Sequence, residues 1–246
     1  MTKRVLLTLC YDGCGYHGWQ VQENAVTVQQ TVQDGLERLL GFRPALTGCS
    51  RTDAGVHARQ FCCHLDCEDT VPDAAFLKGL NSILPKDIAV LGCREVAPDF
   101  HARYDCKGKN YIYKMYHSPV HNPFFRNYAM RLEEPLDTAL CNRFCETLLG
   151  THDFVPFSSA GSSVHDTVRT VRICEVSEQN GFYELSVTAD GFLYNMVRII
   201  VGTAIAVSEG RRSPDCAEEI FRTKERALAG ETAPPQGLYL NQVYYR

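Results

Sequence analysis

The sequence has no apolar run approaching the roughly 18–20 residues that cross a bilayer, so its 45% hydrophobic content belongs to a packed core rather than to a membrane helix. It also lacks any excess of positive charge: 25 Lys and Arg face 29 Asp and Glu, for a net charge of −4. That excludes a uniformly basic surface, the usual source of non-specific nucleic-acid affinity. A nucleic-acid partner therefore requires the cations to be gathered on one face. No dinucleotide-type or Walker-type glycine loop is present, and no set of ligand pairs has metal-like spacing. The expectation is a protein with no cofactor and no metal. The basic, briefly apolar start of the chain is broken at Thr8, leads into Tyr11-Asp12-Gly13 and has no small-residue cleavage site behind it. It reads as a first strand rather than a signal peptide, which predicts a cytoplasmic protein.

Cysteine, by contrast, is plentiful, with twelve in 246 residues. The spacing does not form a secreted disulfide framework: Cys62, Cys63 and Cys67 share one strand-like run, and Cys141 and Cys145 one helical face. They read as reduced, small apolar residues. Cys62, Cys63, His64 and Cys67 offer zinc-type donors, but successive strand residues point to opposite faces.

Periodicity organises the chain into two halves. Residues 4–11 alternate as a strand and lead into a turn rich in Gly13, Gly15 and Gly18. Thr27-Val-Gln-Gln30 has the capping-box pattern, followed by a helical stripe of Val28, Val32, Leu36, Leu39 and Leu40 closed by Gly41. Strands at 45–50 and 58–67 flank a turn at Asp53-Ala54-Gly55. A helix starting near Pro72 turns Phe76, Leu77, Leu80 and Ile83 inward, and a strand at 88–96 follows. The second half repeats this βαββαβ order: strand 110–117, helix 136–149, strands 168–176 and 182–190 about an Asn180-Gly181 turn, helix 192–209, an extra helix begun by Ser213-Pro214, and strand 238–245. The predicted fold is α+β, two ferredoxin-like halves at 1–105 and 106–246 fused into one mostly antiparallel sheet, helices on one face and a cleft on the other, which the resemblance described below makes an RNA-binding cleft. The segment 150–168, with Ser158-Ser159-Ala160-Gly161-Ser162-Ser163, reads as a loop, either a solvated connector or a flap over substrate.

The chemistry concentrates in Cys49-Ser50-Arg51-Thr52-Asp53-Ala54-Gly55-Val56-His57-Ala58. A carboxylate stands on a turn between strands, with a guanidinium two residues before it and a glycine two residues after it to admit a sharp bend. An Asp-x-Gly turn by itself serves local hydrogen bonding as readily as catalysis. The longer string resembles the signature of the tRNA pseudouridine synthase A family, the tRNA pseudouridine(38–40) synthases. The resemblance continues through Tyr11-Asp12-Gly13, His17-Gly18-Trp19-Gln20, Lys109-Asn110-Tyr111-Ile112-Tyr113, Gly150-Thr151-His152-Asp153-Phe154, Gly191 to Gly202 and Pro235-Gln236-Gly237-Leu238-Tyr239-Leu240.

That resemblance implies isomerisation of uridine to pseudouridine in the tRNA anticodon stem-loop, by base flipping and without a cofactor. By alignment, Asp53 is the catalytic aspartate, Arg198 its partner arginine and Tyr111 the active-site tyrosine. Arg51 fills the gap left by the flipped nucleotide, and Leu238 packs beneath the base. Strand alternation places Tyr111 and Tyr113 on one face, so only the alignment separates them. Arg198 reads otherwise as a solvated helix residue and Leu238 as strand core. His17, Trp19 and His57 read as packing residues. Asn110 stands where the family often has a basic residue. Lys107, Lys109, Arg126, Arg169 and Arg172 flank strands near the inferred cleft and are candidate phosphate contacts, and the resemblance implies a homodimer. Competing readings are a non-catalytic RNA-binding module, a glycosidic-bond hydrolase (for which a second suitable carboxylate is missing) and a pseudouridine synthase acting on another RNA.

Overall fold

A computed structural model describes residues 2–161 and 164–245, so Ser162 and Ser163 of the predicted loop lie outside the described residues. The chain is α+β with mostly antiparallel strand pairing. It divides into two compact units, Met1–Lys107 with Tyr239–Arg246, and Gly108–Leu238.

The first unit is built on β1 (Thr2–Tyr11), β2 (Thr47–Gly48), β3 (His57–Glu68) and β4 (Ile88–Val96). β1 lies between β3 and β4 and pairs antiparallel with both. β2 pairs with β3 antiparallel through Thr47↔His64, giving the ferredoxin-like order β4-β1-β3-β2. The last strand, which follows Leu238, pairs in parallel with β3 through Tyr239↔His57 and Leu240↔Ala58. Helix α1 (Val28–Leu40) starts where the sequence predicts: the Thr27 side chain accepts the Gln30 N–H, and Gly41 closes the helix at φ 78° with its N–H bonded to the Glu37 carbonyl. Val28, Val32 and Leu36 are fully buried, the core-facing stripe of an amphipathic helix.

The second helical segment departs from expectation. A π-helical turn, Ala75–Leu80, runs into three α-helical residues, Asn81–Ile83 (α2). The wider π repeat buries Phe76 and Leu80 but leaves Leu77 exposed. Asn81 fixes this register: its amide donates to the Leu77 and Val90 carbonyls, and its oxygen accepts the Val90 N–H from β4 at 2.7 Å.

In the second unit, β5 (Gly108–His117), β9 (Phe182–Ala189), β8 (Val168–Gln179) and β7 (Gly150–Asp153) are neighbours in that order, and β6 (Met130–Leu132) pairs in parallel with β5. The β8–β9 hairpin turns at Asn180 and Gly181, both at positive φ as its sequence requires. α3 (Thr138–Glu146) is capped by Asp137, two residues inside the predicted start. α4 (Met196–Ser208) is buried around most of its circumference. α5 (Cys216–Thr223) begins after Asp215 rather than at Ser213-Pro214, which instead form the turn leading into it. The chain ends in β10 (Leu238–Tyr244).

The segment predicted as a loop is partly ordered: β7 pairs antiparallel with β8, and a 3₁₀ turn occupies Val155–Phe157. Four residues of edge strand are too few to show an alternating pattern. Asp153 closes this segment, because its carboxylate accepts from the Thr167 hydroxyl (2.6 Å), the Val155 N–H and Lys224 Nζ (2.7 Å). No helix of the described residues is long and apolar enough to cross a membrane, and all twelve cysteines are thiols rather than disulfides.

Candidate active site

Asp53 lies on the connection between β2 and β3, in a turn closed by the Val56 N–H donating to the Asp53 carbonyl. Gly55 adopts φ 76°, the left-handed conformation that the sequence pattern anticipates. Asp53 itself is half-buried.

What holds this turn is the glycine-rich segment after β1, for which the sequence alone offered no mechanical role. A Cβ on Gly13 would lie 2.0 Å from the Val56 carbonyl oxygen, and one on Gly18, at φ 85°, 2.4 Å from the Thr52 carbonyl oxygen. Both positions therefore admit only glycine, and the two backbones touch. Hydrogen bonds fix the contact: Trp19 N–H to Thr52 O, Gly55 N–H to Tyr16 O, and Tyr11 Oη with Thr52 Oγ1 at 2.8 Å. A register shift in β1 between Leu9 and Tyr11 lies at the same end of the strand, the position at which bulges re-aim a chain.

His57 and Trp19 gain packing roles consistent with the sequence reading. His57 is buried, stacks on Tyr239 at 4.5 Å, and its Nδ1 accepts the Gly13 N–H. The same nitrogen lies 3.2 Å from Asp12 Oδ1. Trp19 stacks on Phe61 at 4.0 Å and lies over Gly48, where a Cβ would meet the indole at 2.6 Å. Asp12, Cys14 and His57 place potential metal-donor atoms within 4.8 Å of one another. Those donors are engaged in the turn: Asp12 Oδ1 accepts the Cys14 N–H, and burial together with the Asp12 carboxylate pushes the Cys14 thiol up to about 12.

Arg51 is exposed and lines a pocket of ≈220 Å³ with Trp19, Gln29, His101, Arg103 and Tyr104. The last three were not singled out from the sequence, because they sit fifty or more residues from Arg51 and belong to no functional string.

In the second unit, Arg198 occupies the first turn of α4 and is half-buried. Its Nε donates to the Ala233 carbonyl at 2.6 Å, while its own carbonyl accepts the Ala233 N–H. Its Nη1 donates to Asn195 Oδ1 at 2.7 Å. Asn195 is held at φ 61°, an uncommon left-handed conformation for a side-chain-bearing residue, and its amide nitrogen donates to Ser159 Oγ at 2.9 Å. The segment carrying Ala233 reaches α4 because Gly202 and Gly230 meet backbone to backbone; a Cβ on Gly202 would lie 1.9 Å from the Glu231 carbonyl oxygen. This is the physical content of the Gly191 to Gly202 string: an arginine whose aliphatic neighbours are core and whose guanidinium is anchored at two points.

Tyr111 is buried on β5 with its ring edge-on to Phe192 at 4.9 Å. Tyr113 is fully buried, and its hydroxyl donates to the Pro234 carbonyl at 2.7 Å. Burial pushes its phenol well up, and the nearby Arg198 pulls it partly back. The Tyr116 hydroxyl accepts the Asn122 N–H. Leu238 is buried at the start of β10. Asn110 turns into the sheet, its amide donating to Ser186 Oγ, Val187 O and Thr188 Oγ1. Of the candidate phosphate contacts, Lys107, Arg126 and Arg172 are exposed. Lys109 is only 9% exposed, and the Arg169 guanidinium donates to the Val168 carbonyl.

Residues 144–246, the stretch that carries α4 and Arg198, match the family model described as tRNA pseudouridine synthase. Relatives extend the agreement over the full length. tRNA pseudouridine synthase A of Ruminiclostridium cellulolyticum is 42% identical, covering 99% of this chain and all of that protein. tRNA pseudouridine synthase A 2 of Clostridium tetani is 40% identical over the whole of both chains. Among solved structures, an archaeal box H/ACA sRNP Nop10–Cbf5 complex aligns at TM-score 0.36 and 13% identity over 83% of this chain and 44% of that one, too distant to carry an argument. The chain belongs to the tRNA pseudouridine synthase A family and is an isomerase of that kind.

Proposed function

We propose that this protein isomerises uridine to pseudouridine at positions 38–40 of the tRNA anticodon stem-loop, with Asp53 as the catalytic carboxylate. The observation that carries the reading is the Asp53 turn, pinned by two glycines that no other residue can replace without a backbone clash. Such rigidity has a chemical purpose, since a group that attacks or stabilises a reacting atom must already be in position.

The reaction breaks the bond from C1′ to N1, turns the uracil and rejoins it to C1′ through C5. It is redox-neutral and transfers no external group. The carboxylate divides this into easier steps by forming or stabilising the detached intermediate. In this reading the Arg198 guanidinium is the counter-ion that keeps Asp53 ionised in a partly dry site. Asn195 and Ala233 hold that guanidinium. Tyr111 stacks on the uracil and assists removal of the C5 proton. Tyr113, on the same face of β5, donates its hydroxyl to the Pro234 carbonyl. Arg51 enters the space of the flipped nucleotide, and Leu238 packs beneath the base. Lys107, Arg126 and Arg172, the exposed members of the candidate set, contact phosphates; Lys109 and Arg169, buried or engaged, are the weaker members. The working form is a cytoplasmic homodimer with tRNA across both subunits, which gathers basic surface despite the net charge of −4.

Tritium release from C5-labelled uridine in tRNA tests the reading. Asp53→Asn is expected to lose activity by about 10³-fold or more. Undiminished release by that variant removes Asp53 from the mechanism, and release confined to another RNA transfers the reading to a different substrate.

A further inference from the structure

The turn from Phe100 to Asp105 in the first unit is fixed far more firmly than a surface connection requires. The Arg4 guanidinium donates to the Phe100 carbonyl. The His101 N–H donates to Asp105 Oδ2 at 2.6 Å, and His101 Nδ1 accepts the N–H groups of both Arg103 and Tyr104. The Ala102 N–H donates to His64 Nδ1, and the Ala102 carbonyl accepts from Tyr245 Oη at 2.8 Å. Ala102 is fully buried.

Yet two of the side chains on this rigid turn, Arg103 and Tyr104, make no side-chain hydrogen bond that holds it. Tyr104 is 77% exposed, and its ring stacks on His101 with centroids 4.2 Å apart. Among the described residues, neither the Arg103 nor the Arg51 guanidinium makes a hydrogen bond or ion pair within the protein. All four side chains line the same ≈220 Å³ pocket, and Arg51 is two residues from Asp53.

We infer that this pocket is a nucleotide subsite, formed by Arg51, Arg103, His101 and Tyr104, that holds an unpaired nucleotide neighbouring the target uridine. The chemistry of the lining selects this ligand. Two guanidiniums without a protein acceptor suit a phosphodiester. An exposed aromatic ring backed by an imidazole suits the face of a base. Sequence-specific RNA recognition works on unstacked loop bases of this kind. Because the turn is rigid, stacking there orders little besides the RNA. The subsite rests on the tRNA-directed reading above and extends it to a second point of contact.

The probe is a set of tRNA transcripts carrying 2-aminopurine at one anticodon-loop position each, bound by the full-length protein. Stacking on Tyr104 changes the fluorescence of one transcript on binding. Tyr104→Ala abolishes that change and weakens binding about 10-fold, and Tyr104→Trp restores both. Arg103→Ala reduces the slope of log affinity against log salt by about 0.7–0.9. Arg222→Ala, at an exposed cation on α5, leaves the slope unaltered. A fluorescence change that survives Tyr104→Ala at every position, or a salt slope indifferent to Arg103→Ala, overturns the subsite. Tritium release keeps the two proposals apart: an active Asp53→Asn sinks carboxylate catalysis and leaves the binding result standing.

Discussion

Asn195 is the residue whose geometry has the most specific kinetic consequence. Its left-handed backbone and two side-chain hydrogen bonds set the guanidinium of Arg198 and tie it to Ser159. Asn195→Gly accepts that backbone without strain but removes the amide. It is expected to fold normally and to lose about 10- to 100-fold in kcat, the cost of a group displaced by about an ångström. If Asn195 acts through Arg198, the loss disappears in an Arg198→Ala background; multiplying losses in the double variant argue for separate roles. The tyrosines of β5 separate in a similar way. Tyr113→Phe leaves the Pro234 carbonyl without its donor and is expected to lower stability by about 1–2 kcal/mol in denaturant titration. Tyr111→Phe is expected to act mainly on rate. Side-chain periodicity placed both rings on one face and went no further, because the partner of the Tyr113 hydroxyl, the Pro234 carbonyl, lies more than a hundred residues along the chain.

At the scale of elements, the structure is held together where glycines let backbones touch. Gly202 of α4 meets the 230–231 segment so closely that Gly202→Ala is expected to cost about 3 kcal/mol or more, or to prevent folding, as read by thermal melting. Gly41→Ala, at a helix end with open space around it, strains only the local backbone and is expected to cost about 1 kcal/mol. Both are glycines near helices in the sequence, and only the packing separates a cap from a crossing point. Most elements were legible: α1 with its cap, the Asn180-Gly181 hairpin and β10 follow from local patterns. β7 and the π-helical turn were not. The first is too short to show alternation, and the second owes its register to Asn81 bridging to β4.

At the scale of the whole molecule, charge governs behaviour in solution. Burial lowers the His64 pKa below the ordinary 6.5, with Arg4 adding to the effect. The unfolded chain therefore takes up a proton at His64 before the folded chain does. Its contribution to stability is present above 6.5 and is lost as pH falls through the folded value. Melting temperature is expected to drop as pH is lowered from about 7.5 to 5. His64→Asn, which keeps an acceptor for the Ala102 N–H, is expected to flatten that slope. Asp66 and Asp153, held below the usual carboxylate range by hydrogen bonds from Arg4 and Lys224, lose their contributions only at more acidic pH.

From the residues in order came the α+β class, the carboxylate at position 53, the candidate partners at 51, 111 and 198, and the likeness to one family. These depend on short strings and on spacings of two, three or four, which are properties of the chain as it is written. The tertiary structure alone decided that Gly13 and Gly18 clamp the Asp53 turn, that Asn110 points into a sheet, and that Arg103 and Tyr104 join Arg51 around one pocket. Each of those facts is a contact between segments separated by tens of residues, and such contacts are chosen by packing and hydrogen-bond satisfaction across the folded unit.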